Sequence, residues 1–166
     1  MVFERRLATY AHTGLVWGIA AGLSLGLAVV GLHDLYSERG HEMFDPAFLL
    51  KRYRYKYDSG RLRGLLHDVI GLDTELGSDR LQTLLMMVLR NATTDSPWPL
   101  SNNPRVKYND CGRPDNNLRL ALWQLVRARD PPPVYFPPEA ITVGEHGFLF
   151  VDGGVTVYNN PAFQLF

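Results

Sequence analysis

"LQTLLMMVLRN", residues 81–91, is the stretch on which the fold turns. It is a continuous apolar run flanked by polar loop signals, long enough for a strand buried on both faces, as strands of parallel sheets are. Met86 and Met87 read there as adaptable core filler rather than as ligands. Upstream, Leu62, Leu65, Leu66, Val69 and Ile70 recur at helical spacing and lead into the turn-like "GLDTELGSD" of residues 71–79. Downstream, a loop rich in Pro and Asn is expected over roughly 91–114. Asp115 is placed to cap a helix over "NNLRLALWQLVRAR", with Leu118, Leu122, Leu125 and Val126 as its apolar stripe and prolines 131–133 as its stop. Short apolar strands separated by turns follow in "VYFPPEAITVGEHGFLFVDGGVTVYNNP". Strands alternating with helices predict an α/β layered fold with a mainly parallel sheet.

Composition narrows the function classes. The chain has 166 residues, 46% hydrophobic and 20% charged, which suits one domain with a real core. Lys plus Arg and Asp plus Glu number 17 each, so no net charge draws nucleic acid or an anionic membrane from a distance. A single cysteine, Cys111, cannot form an internal disulfide, and its polar loop makes it a plain surface thiol. The five histidines, His12, His33, His41, His67 and His146, lack metal-ligand spacing. No metal or cofactor is expected. Asn91-Ala92-Thr93 matches a glycosylation sequon, a pattern that matters only in a secreted chain. The closing "YNNPAFQLF" starts a helix that stops almost at once, which predicts a truncated domain.

Near the start, "HTGLVWGIAAGLSLGLAVVGLHD" (residues 12–34) runs uncharged from His12 to His33 and contains Gly22-Leu23-Ser24-Leu25-Gly26, a literal G-x-S-x-G. Three readings stand. Residues 13–32 are long enough to span a membrane, with glycines at a spacing of four for close helix pairing. Alternatively "LVWGIAAG" is a strand, "GLSLG" a nucleophile elbow and "LAVVGLHDLY" the helix after it. The favoured reading is a buried helix over about 23–38, ended by Gly40, in which the Ser24 hydroxyl bonds a carbonyl one turn back. "KRYRYKYD" then alternates Arg52, Arg54 and Lys56 with Tyr53, Tyr55 and Tyr57. Such interleaving can hold single-stranded nucleic acid. On a neutral chain a half-buried strand or solvated loop is the preferred reading, and no nucleic-acid partner is expected.

The chemistry points to "GFLFVDGGV". Phe148 to Val151 fit a buried strand, Asp152 follows directly, and Gly153 and Gly154 permit a sharp turn and a close approach. Carboxyl ends of strands are where ligands and catalytic groups gather in open α/β sheets. An ordinary Asp-Gly turn at a strand end carries equal weight from spacing alone.

"FVDGGVTVYNNPA" resembles the Asp-Gly-Gly motif and following helix start of the patatin-like phospholipases. "DLYSERGHEMF", "LRNATTDSPWPLSNNP" and "LWQLVRAR…VYFPPE" resemble successive segments of that family in the family's order, over residues 34–166. The resemblance implies a three-layer α/β fold, a mainly parallel sheet with helices on both faces, here as a single partial domain over 1–166. It also implies lipid acyl hydrolysis by a serine–aspartate dyad. In that scheme the serine attacks an ester carbonyl, the aspartate takes its proton without an intervening histidine, and backbone donors hold the oxyanion. Asp152 matches the dyad aspartate, and Gly153 and Gly154 complete its motif.

The match has gaps. No glycine-rich oxyanion segment precedes Gly14, and the family's Gly-Thr-Ser-Thr-Gly-Gly elbow falls on "AHTGLVW", which has no serine. Ser24 is the substitute nucleophile. Arg129, Asp130 and three prolines replace small residues that pack near the family's active site. The expectation is therefore an esterase of phospholipids or other acyl esters through Asp152 and Ser24. The alternatives are a catalytically inactive remnant or lipid-binding module, and a small membrane-anchored protein held by residues 13–32. A place in the cytoplasm or peripheral to a membrane suits the first two.

Overall fold

The leucine spacing after Ser59 becomes a helix, α1 (Ser59–Ile70), that buries Leu62, Leu65, Leu66 and Ile70. Four buried aliphatic side chains at roughly 2 kcal/mol each outweigh the marginal stability of so short a helix alone. Gly71 ends it in the left-handed region at φ 91°, its N–H donating to the His67 carbonyl at 2.9 Å. The Ile70 carbonyl accepts from the Thr74 hydroxyl at 2.6 Å and from Arg80 Nη1 at 3.0 Å, which satisfies the helix end. This computed structural model describes residues 25–26, 59–129 and 137–153.

The central apolar run becomes β1 (Met86–Asn91), with Met87, Val88 and Leu89 buried. It pairs antiparallel with β2 (Ser96–Ser101) from Met86 opposite Ser101 to Asn91 opposite Ser96. Asn91 builds the connection, its Oδ1 accepting from the N–H groups of Thr93 at 2.9 Å and Thr94 at 3.2 Å. Asp95 closes the loop at φ 53°, a left-handed position that Asp tolerates better than most residues. β3 (Glu139–Val143) and β4 (His146–Val151) form a second hairpin across Gly144-Glu145, with Gly144 left-handed at φ 61°. β4 joins β1 antiparallel through Arg90 opposite Val151 and Asn91 opposite Phe150, giving the order β2-β1-β4-β3.

Helix α2 (Leu122–Arg129) lies against this sheet, and its Leu122, Leu125 and Val126 share one core with α1, β1, Leu100, Ile141 and Phe150. Trp98 packs edge-on to Phe150 with ring centres 5.5 Å apart. His67 sits edge-on to Trp123 at 4.4 Å, with Arg63 over the same indole.

Several expectations change. The described sheet is antiparallel throughout, so the three-layer, mainly parallel α/β fold is not what these residues form. The reason is connection length. A four-residue loop and a two-residue turn return the chain directly and can only join antiparallel neighbours, whereas parallel neighbours need a crossover of a dozen residues. The expected loop over 91–114 contains β2, whose Pro97 and Pro99 read as breakers. β2 is an edge of the described sheet, where a missing N–H leaves no central ladder incomplete.

Asp115 caps nothing. Asn116 does, accepting from the Leu118 N–H at 2.9 Å to start a 3-10 turn over Asn117–Arg119 that ends before α2 begins. Asp115 instead accepts from Arg113 through both oxygens, at 2.8 and 2.7 Å, and that guanidinium holds its carboxyl below the usual carboxylate range.

The expected helix over 23–38 fails where it is described: Leu25 and Gly26 form a turn, with Gly26 at φ 79°, outside any right-handed helix. The remainder of that segment, the 13–32 membrane span, the elbow region 11–17, "KRYRYKYD", Gly40, His12, His33 and His41 lie outside the described residues. Among the described residues no helix is long and apolar enough to cross a membrane.

Candidate functional site

Alternation along β4 decides where Asp152 goes. Phe150 faces the core, so the residue two further on leaves the strand on the same side of the sheet, toward α2. Asp152 is buried at that strand end. Gly153 follows against β1, where a Cβ would overlap the Val88 carbonyl, so only a bare Cα fits. The Asp-Gly pair is thus an interior junction between two strands, not a solvent-facing turn.

What meets Asp152 there is Arg129, the last described residue of α2. Its Nη1 donates to Asp152 Oδ1, and the two side chains are 1% and 9% exposed. Two residues earlier in α2, Arg127 pairs with Glu139 through Nη1 and Oε2, with side chains 3% and 7% exposed. Glu139 stands opposite Phe150 in the hairpin, so both acids lie at the same end of β3 and β4. Two arginines of one helical turn therefore clasp two acids of one hairpin, all inside the protein. Buried charges persist only when matched in this way. The arginines also lie at the negative end of the α2 dipole, which favours cations.

Chemically, two cations and two anions are paired here among the described residues. A carboxylate acting as base must present an oxygen to the reacting hydroxyl at about 2.6–3.2 Å. In this structure Asp152 Oδ1 faces a guanidinium. Ser24 and Gly154, the other expected site residues, lie outside the described residues, so Asp152 and Gly153 alone of the four are placed. Among the described residues no three His, Cys, Asp or Glu side chains gather as metal ligands. Cys111 is exposed.

Sequence reasoning noted the bulk and charge of Arg129 but missed both ion pairs. A signal was there. In "LVRAR" the arginines alternate with residues of an apolar helix that has already shown its core face, and Leu125, Val126 and Ala128 are all buried. Charges on the flank of a helix that narrow cannot all reach water. The acid partners are not legible, because they lie 12 and 23 residues further on, in strands whose register the sequence leaves open.

No protein-family model matches the sequence, and no curated protein matches it.

Proposed function

We propose that the chain is a relative of the patatin-like lipid acyl hydrolases that binds acyl-ester lipids without turning them over. Asp152, at the position of the dyad acid, serves in it as a structural counter-ion. The likeness lies in ordered sequence segments, and the substrate class comes from that likeness alone. The observation that carries the loss of catalysis is the buried pair of Asp152 with Arg129. Arg129 stands where the resembling sequences carry small residues, and the carboxylate that the dyad scheme would turn toward a serine hydroxyl is instead paired with its guanidinium.

The test is labelling with a fluorophosphonate, run beside hydrolysis of a short-chain nitrophenyl ester and binding of a fluorescent fatty-acyl probe. Expected are no label, no ester turnover and saturable probe binding. Covalent labelling accompanied by turnover overturns the proposal and restores the esterase.

One observation favours that second reading. The turn at Leu25 and left-handed Gly26 follows Ser24 directly, and a sharp turn with a small residue is what a nucleophile elbow requires. Under it, Ser24→Ala abolishes any labelling of the chain; a label that survives this change excludes Ser24.

A further inference from the structure

The loop from Asn102 to Asn117, between β2 and α2, is crowded with asparagine and aspartate, and nearly all of them have a side-chain oxygen engaged. Asn102, Asn103, Asp110 and Asn116 each accept a backbone N–H through Oδ1, and Asp115 takes Arg113 with both oxygens. Two residues stand apart. Among the described residues Asn109 Oδ1 and Asn117 Oδ1 accept nothing, although these asparagines are the most deeply buried of the set, 2% and 3% exposed. Buried acceptors are ordinarily matched by a donor or an ion.

The Asn109 amide cannot be turned over to remove the mismatch. Its Nδ2 donates to the Ser101 and Asn103 carbonyls at 2.7 Å each, and an oxygen in that place would face two oxygens. Asn117 is held by its own turn, where Asn116 caps the start and the Asn117 carbonyl accepts from the Leu120 N–H at 3.1 Å. The two 3-10 turns, Lys107–Asn109 and Asn117–Arg119, pack on one another, and each buries one residue, its asparagine. Asp110 follows Asn109 directly, is exposed, and gives one oxygen to the Gly112 N–H at 3.0 Å, which leaves it a second.

We propose that Asn109 Oδ1 and Asn117 Oδ1 share one bound calcium ion, with Asp110 as its charged ligand and water completing the shell. Calcium accepts amide, carboxylate and water oxygens in flexible geometry, whereas magnesium keeps its water and demands a strict octahedron. Lys107 and Arg113 oppose a cation, but both lie over the Tyr108 ring, at 5.4 and 5.2 Å, and Arg113 is paired with Asp115. One carboxylate against that opposition places the affinity in the weak class, about 10⁻⁴–10⁻³ M.

The experiment uses the full chain after treatment with EDTA. Calcium chloride at about 5 mM should raise Tm by roughly 3–6 °C. Magnesium chloride and sodium chloride at equal ionic strength should do little. Asn117→Leu should abolish the calcium response, and Asp110→Asn, an exposed change that keeps an acceptor for Gly112, should weaken calcium binding about tenfold. A parent chain that ignores calcium overturns the proposal and leaves water as the partner of the two oxygens. A response that persists in full in Asn117→Leu or in Asp110→Asn overturns it as well, because the ion then binds elsewhere. If Asn117→Leu does not fold, Asp110→Asn decides by itself.

Discussion

Replacing Gly153 by alanine adds one methyl group, and the structure gives reasons to expect a large effect. The new carbon would overlap the Val88 carbonyl oxygen, with the carbonyl carbon at 2.7 Å and Leu89 Cα at 3.2 Å. All three are backbone atoms of the central strand β1 and have no rotamer to move into. Relief requires β1 and β4 to separate, and their junction is short. It consists of Arg90 opposite Val151, Asn91 opposite Phe150, and the Ala92 N–H donating to the Leu149 carbonyl at 2.7 Å. Overpacking costs about 1–3 kcal/mol, and each strained or lost hydrogen bond adds about 1 kcal/mol. The sum is roughly 3–4 kcal/mol, or a fall of about 10 °C in Tm for a chain of this length.

Two glycines serve as controls, since a Cβ on Gly147 or Gly64 meets nothing within 4 Å. Gly147→Ala should change little, and Gly64→Ala, exposed on α1, should gain roughly 0.5–1 kcal/mol. Urea and thermal melts followed by circular dichroism compare all three. If Gly153→Ala melts as high as Gly147→Ala, the close packing of β4 on β1 is wrong.

The second ion pair gives a double-mutant cycle: Glu139→Leu alone should lose about 3–5 kcal/mol by breaking the buried pair with Arg127, whereas Glu139→Leu with Arg127→Met should recover most of it. Additive losses in urea melts would show that the pair is not coupled. Asn91 is 0% exposed and its Oδ1 holds the hairpin loop, so the sequon should stay unmodified in a secretory host; a glycan found there by mass spectrometry on folded protein would contradict its burial. Asp115 has its pKa lowered by the Arg113 hydrogen bond, so its contribution to stability is present above the ordinary carboxylate range and fades as pH falls through the lower folded value. An NMR titration should find Asp115 protonating at lower pH than in Arg113→Ala, and identical midpoints would remove the pairing.

Much of the local order was legible. The leucine spacing of α1 appears where periodicity put it, whereas the helix expected over 116–129 forms only over Leu122–Arg129, with Leu118 in the 3-10 turn before it, and the apolar run 81–91 is strand only from Met86. Strand direction was not. A run apolar at every position implies two covered faces, and parallel sheets are the usual cause. Here Met87, Val88 and Leu89 are all buried, yet both strands that pair with β1 run antiparallel. Proline masked β2 because its penalty depends on edge position, which belongs to the sheet and not to the segment.

The candidate site divides the same way. By itself the sequence determined that an acid would follow an apolar strand, but not that the strand is buried: of Phe148 to Val151 only Phe150 is buried and Leu149 is exposed. Only the tertiary structure decided what that acid does. A buried carboxylate takes its character from the charge set beside it, and Arg129 reaches Asp152 through the packing of a helix on a hairpin, across 23 residues of intervening chain. Local pattern encodes which groups leave water; the partners they then find depend on long-range geometry.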